Sequence, residues 1–86
     1  MFDWDEYNLD HIARHGVGPD EAEDAALDPD RVSFSARKIG RVGFIGMTEA
    51  GRVLVVILDQ AGDLWRVVTA RDASSNEKKS YRRRQR

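Results

Sequence analysis

The spacing of apolar residues changes near residue 30. Before it, Leu9, Ile12 and Ala13 recur at the intervals of one helix face, as do Ala22, Ala25, Ala26 and Leu27. After it, short segments alternate with period two or are apolar throughout, the signature of strands. The first pattern predicts a helix from about Asp5 to His15, with Asp3 and Glu6 spaced as a capping box and Gly16 at the C-terminal stop. A second helix begins with Gly18 as cap and Pro19 at its first position. Asp20 and Glu21 face its dipole, and Asp28-Pro29-Asp30 ends it.

Four strands follow. Arg31–Ser35 alternates, and Arg41–Met47 carries Gly43 and Gly46 where a bulge or a close approach is expected. Arg52–Leu58 is apolar enough to be buried on both faces, and Asp63–Arg71 alternates again. The connections are short, with turns at Glu49-Ala50-Gly51 and Asp59-Gln60-Ala61-Gly62, so the strands should form an antiparallel meander. Ser74 and Glu77 have capping-box spacing before a C-terminal helix reaching about Arg84, in which Tyr81 is the only sizeable apolar residue. Such a helix is too short and too polar to stand on its own burial, and the tail Tyr81–Arg86 should be frayed or waiting for an anion. The expected fold is α+β over one domain, residues 1–86, with two N-terminal helices, a four-stranded antiparallel meander and a C-terminal helix.

Composition narrows the class. With 86 residues and no cysteine, the chain supports one small core and no disulfide or thiolate metal site. No apolar run approaches the roughly 20 residues of a membrane span. The acidic N-terminus lacks a cationic leader, so a cytoplasmic location with no membrane association is expected. The net charge of -1 conceals a division. The first 30 residues hold ten acids and one base, the remainder five acids and thirteen bases. Two readings stay open: the basic half meets a polyanion or acidic partner, or the two halves pair within the fold.

The candidate chemistry lies in the cations. Arg66 sits inside a strand that otherwise reads as buried, and such a charge needs an anion, a carboxylate or a solvent edge. Arg41, Arg52, Arg66 and Arg71 all lie on or at the ends of strands, an arrangement suited to bidentate phosphate binding. Cleavage of RNA through its 2′-hydroxyl needs a base, an acid and cations for the developing charge, all within reach of such side chains without metal. His11 and His15 share a helix face but have no general-base glutamate between them and no evident third ligand, so neither a metal nor another cofactor is expected. His15 suits proton transfer near neutral pH, and equally suits a helix's last turn. Period two sets Arg66 and Arg71 on opposite faces unless a bulge intervenes. No nucleophile elbow or phosphate loop is present.

One order of residues is informative as a set. Phe2-Asp3-Trp4-Asp5, Arg14-His15-Gly16-Val17, Glu21-Ala22, Asp28-Pro29, Arg41 through Ile45-Gly46, Gly51–Val56, Arg66–Ala73, Glu77 and Tyr81 span nearly the whole chain. In this order and spacing the chain resembles the BrnT family of type II toxin–antitoxin toxins, a branch of the RelE-like superfamily. The resemblance implies a RelE-like fold and a metal-independent ribonuclease that inhibits translation. It also implies neutralisation by a BrnA-like ribbon-helix-helix antitoxin, with operator DNA bound only through that antitoxin. It assigns His15, Arg66 and Arg71 catalytic roles, and contact with the RNA phosphate to Arg41 and Tyr81. The chain departs from the family pattern at Asn8, where a lysine is usual nearby, and at Gly40, where an acid is usual. The alternative is therefore a catalytically degenerate relative that binds an antitoxin or nucleic acid.

Overall fold

The computed structural model describes residues 1–84. Gln85 and Arg86, the end of the expected frayed tail, lie outside the described residues. The order is α1 (Glu6–Ala13), α2 (Pro19–Leu27), β1 (Val32–Ser35), β2 (Arg41–Met47), β3 (Val53–Ala61), β4 (Leu64–Asp72) and α3 (Ser75–Arg84). The strands form one antiparallel sheet in the order β1-β2-β3-β4, the expected meander.

Each helix boundary has a local cause. Asp5, in extended backbone, caps α1 by accepting from Asn8 N–H, while Asn8 Oδ1 accepts from Asp5 N–H. The capping box is thus Asp5–Asn8, one register along from the expected Asp3–Glu6. Asp3 is committed elsewhere: its N–H bonds to the Trp65 carbonyl, and Trp65 N–H bonds to Met1 O, so the first residues run as a strand beside β4. At the other end, Val17 N–H bonds to Ile12 O and Gly16 N–H to Ala13 O, with Gly16 at φ 72°, the paired bonds of a Schellman ending. The helix proper stops at Ala13, which leaves His15 in the turn rather than on the helix. Its buried residues are Asn8 and Ile12, whereas Ala13 is exposed. Pro19 opens α2 as expected, and Glu21 accepts from Gly18 N–H. Ala22, Ala25 and Ala26 are buried, but Leu27 is exposed.

The sheet separates two apolar clusters. Against α1 and α2 it presents Phe44, Leu54, Val56, Leu58, Val67 and Ala70, packed with Ile12, Val17 and the α2 alanines. On the other face Ile45 and Val55 pack with Ala73 and Tyr81. Tyr81, 5% exposed, anchors α3 by donating its hydroxyl proton to Asp28 Oδ2, which also accepts from Met47 N–H. That polar anchor supplies what the apolar content of α3 lacks.

The two strand glycines serve close approach, for different reasons. A Cβ on Gly43 would meet the Phe34 ring at 2.2 Å, and one on Gly46 would meet the Ala25 carbonyl oxygen of α2 at 2.0 Å. A phenylalanine ring can rotate away, but helix backbone cannot. Gly46→Ala should therefore separate α2 from the sheet and destabilise the protein by about 1–3 kcal/mol. A fall in the urea midpoint of unfolding, larger than that for Gly43→Ala, checks this.

Candidate functional site

β3 and β4 keep a regular antiparallel register from Ala61↔Leu64 to Leu58↔Val67, then shift so that Ile57 pairs with Thr69. Val68 is left without a partner on β3, a β-bulge. The consequence is a change of parity. Val67 and Ala70, three residues apart, both enter the core against the N-terminal helices. Arg66, Thr69 and Arg71 instead line up on the opposite face, through their partners Asp59, Ile57 and Val55. The same face carries Arg41, which pairs with Asp59 across β2 and β3. The bulge thus removes the conflict that strict alternation creates, and Arg41, Arg66 and Arg71 share one face.

Part of this face is covered by α3, which packs on Ile45 and Val55. The remainder opens into a cleft of about 460 Å³ lined by Arg41, Asp59, Arg66 and Thr69 of the sheet and by Tyr7 and His11 of α1. Arg41 holds Asp59 in a bidentate pair, Nε to Oδ1 at 2.8 Å and Nη2 to Oδ2 at 3.0 Å. Arg66 reaches the N-terminal segment, Nη2 to Asp5 Oδ2 at 2.6 Å and Nη1 to Asp3 Oδ2 at 3.4 Å. Arg71 is bidentate to Glu77 at 2.8 and 2.9 Å. Arg52 bonds Asp72 through Nε and Nη2, and Gly16 O and Glu21 Oε2 through Nη1. The four strand arginines are therefore all engaged by carboxylates, and two of them, Arg52 and Arg66, join the acidic first third to the basic remainder.

These contacts move the titrations in one direction. Hydrogen bonding to Asp59 raises Arg41 above its usual range, and the same bond holds the Asp59 carboxyl below its own. Asp5 is lowered first by the Asn8 N–H and then by Arg66. Arg71 holds Glu77 down to about 2 against the opposing effect of burial, helped by the bond from Ser74 N–H. Burial is the largest influence on Asp28 and pushes it up, but the bonds from Tyr81, Asp30 N–H and Met47 N–H outweigh it and leave the carboxyl lowered. Burial, then Asp28, raises the Tyr81 phenol well above its usual value.

The expected site residues divide accordingly. Arg41 and Arg66 line the cleft together. Arg71 is on their face but at the α3 end, against Glu77. His15 does not line the cleft; its ring packs edge-on against His11, centroids 5.7 Å apart, and His11 is the histidine that borders it. Tyr81 is buried under α3 on Asp28, away from the cleft. Asp59 was not legible as a site residue, since it reads as a turn; only its register opposite Arg41 and Arg66 reveals it. Gly40, where the family pattern has an acid, sits at φ 82° and accepts from Gln60 N–H, so its backbone favours glycine, and the carboxylate against Arg41 comes from β3 instead. Asn8, where a lysine is usual nearby, is 2% exposed, its amide donating to Asp3 O. Among the described residues, no group of three or more His, Asp or Glu side chains is placed to hold a metal ion. No helix among them is long and apolar enough to cross a membrane.

Two N-terminal helices packed on one face of a four-stranded antiparallel meander, with α3 covering part of the other face and Arg41, Arg66 and Arg71 gathered there, define a small α+β protein. Comparison with known proteins makes the class particular. The family described as "Ribonuclease toxin, BrnT, of type II toxin-antitoxin system" matches residues 4–77, and the chain belongs to it. The fold is similar to the crystal structure of the Brucella abortus ribonuclease toxin BrnT, with 28% identity and a TM-score of 0.67, covering 87% of this chain and 99% of that one. No curated protein matches the chain.

The depressed titration of Glu77 has a sign that can be checked. Its folded value, about 2, lies below the ordinary 4.5, so its contribution is complete above pH 4.5 and is lost as pH falls towards 2. After solvent screening of the half-exposed Arg71, that contribution is about 1–2 kcal/mol. Glu77→Gln keeps an acceptor for Ser74 N–H but not the charge. Its urea midpoint should sit below that of the wild type at pH 7, and the two should converge as the pH is lowered from 4.5 to 2.

Proposed function

We propose that this chain is the toxin of a type II toxin–antitoxin pair and cleaves RNA without a metal ion, thereby inhibiting translation. The observation that carries the reading is the placement of Arg41 and Arg66 on one face of a cleft that His11 also borders. A phosphodiester entering there meets two guanidiniums with forked donors, the arrangement that stabilises charge developing on a pentavalent phosphorus. Attack by the 2′-hydroxyl needs a proton acceptor, and departure of the 5′-oxygen needs a donor. His11 is the cleft's imidazole, with His15 packed behind it, and Asp59 is its carboxylate. Arg71 acts at the margin of this face, and Tyr81 serves by holding α3 in place. The partner is a BrnA-like ribbon-helix-helix antitoxin, and operator DNA is met through it. Cytoplasmic action follows from a ribonucleolytic target.

The alternative, a binding module without catalysis, is favoured by the carboxylates that occupy the strand arginines. Mutation separates the two. The Arg66 pairs are exposed, and exposed pairs add little to stability, so Arg66→Ala should fold normally. Induced expression of the wild type in the absence of antitoxin should arrest growth and degrade RNA. Arg66→Ala should lower cleavage by about 10²–10³-fold and restore growth. Normal growth with full soluble expression of the wild type would overturn the ribonuclease, and tight antitoxin binding without cleavage would then support the module.

A further inference from the structure

The open sheet face is ordered in rows by its register. Arg41, Asp59 and Arg66 form one row, and the next is Phe34, Gly43, Ile57 and Thr69. Two residues along a strand separate the rows by about 7 Å. The first row is charged and the second carries no charge at all. Beyond the second, the face disappears under α3, where Ile45 and Val55 meet Tyr81. The uncharged row therefore lies between the charged row and the part of the face that α3 covers, with Phe34 on β1, one strand from Arg41 and three from Arg66.

Phe34 is the aromatic side chain of that row. It is 36% exposed, so part of the side chain is open to solvent. Its ring lies over Gly43, which is itself buried beneath it, and the missing Cβ at Gly43 is what gives the ring its seat. One side of the ring is thus supported by backbone while the side chain as a whole remains open to solvent. An aromatic side chain near a cationic groove is how proteins hold single-stranded nucleic acid: the cations take the phosphates and a base stacks on the ring.

We propose that Phe34 is a nucleobase-stacking platform that positions one base of an RNA strand whose phosphate is held by Arg41 and Arg66. The proposal rests on the ribonuclease reading and assigns the substrate class as single-stranded RNA, because a base inside a duplex has both faces covered by its stacked neighbours. Phe34 makes this a positional selector: a strand binds in the register that lays its best-stacking base on the ring.

The test is an abasic scan with the purified full chain. Fluorescein-labelled single-stranded RNA of about ten nucleotides is compared with a series in which each base in turn is removed, and affinity is read by anisotropy. Wild type should lose about tenfold in affinity at one or two adjacent positions and little elsewhere. Phe34→Leu, which still covers Gly43, should bind the intact strand about tenfold more weakly and lose nothing further at those positions. Phe34→Tyr should behave as wild type. A ring that merely covers Gly43 predicts no such coupling between one side chain and one base. Uniform loss along the strand for the wild type would overturn the proposal without reference to any variant. So would unchanged affinity in Phe34→Leu. Wild type that binds no RNA would overturn the ribonuclease reading itself, a result distinct from RNA binding that is indifferent to Phe34.

Discussion

The unpaired Val68 decides what each face of the sheet is made of. With unbroken alternation, Val67 and Ala70 would point to opposite sides, and one of them would leave the core it shares with α1 and α2. Burial of both is worth more than the ladder bonds interrupted at one residue, so the strand accepts the bulge. The same shift carries Arg71 to the face of Arg66. Packing of the core and assembly of the arginine surface are thus two results of one displaced residue, and neither can be altered there without the other.

Part of the division of charge between the halves is resolved inside the molecule. Asp3 and Asp5 meet Arg66, Glu21 meets Arg52, and Asp28 meets Tyr81 and the β2 backbone. Arg52 is the clearest case, with its guanidinium shared among Asp72, Glu21 and the Gly16 carbonyl, so that it ties β3 to the end of β4 and to the turn between the first two helices. The Gly16 ending of α1 and the Glu21 cap of α2 converge on this one side chain. The acidic helices are therefore part of the scaffold that orients the basic sheet, and the charge pattern along the chain is a record of folding as much as of an external partner.

Periodicity made the elements legible because each depends on local spacing: the Pro19 start, the Gly16 stop and the apolar run of β3 all stand where the residues place them. What was not legible depends on pairing across the chain. Asp3–Glu6 and Asp5–Asn8 have the same spacing, and only the strand-like pairing of Met1 and Asp3 with Trp65 chooses between them. That choice buries Asn8, while the Gly16 ending leaves His15 beyond the helix, and His11 is the histidine that borders the cleft. Asp59 is likewise silent until register sets it against Arg41. The Val-Val-Thr-Ala sequence around the bulge holds no glycine to announce it. The resemblance carried the fold and the family, while the geometry of the site came from non-local contacts.

The anion binding proposed for this face would be an exchange, since each strand arginine already has a carboxylate. The ease of exchange differs with geometry. Arg52 makes four bonds to three elements, and releasing it would unfasten the scaffold. Arg71 and Arg41 are each bidentate to a single carboxylate, so a phosphate must replace two parallel bonds at once. Arg66 makes one short and one long bond to two different side chains, both exposed. Asp5 does not depend on it, being held as the α1 cap by Asn8 N–H. Removing Arg66 from this pair strands no buried charge, and water can solvate the carboxylates it leaves. On the proposed function, Arg66 is accordingly the guanidinium that a phosphate would recruit most readily, and recruitment of Arg41 would free Asp59 beside the anion.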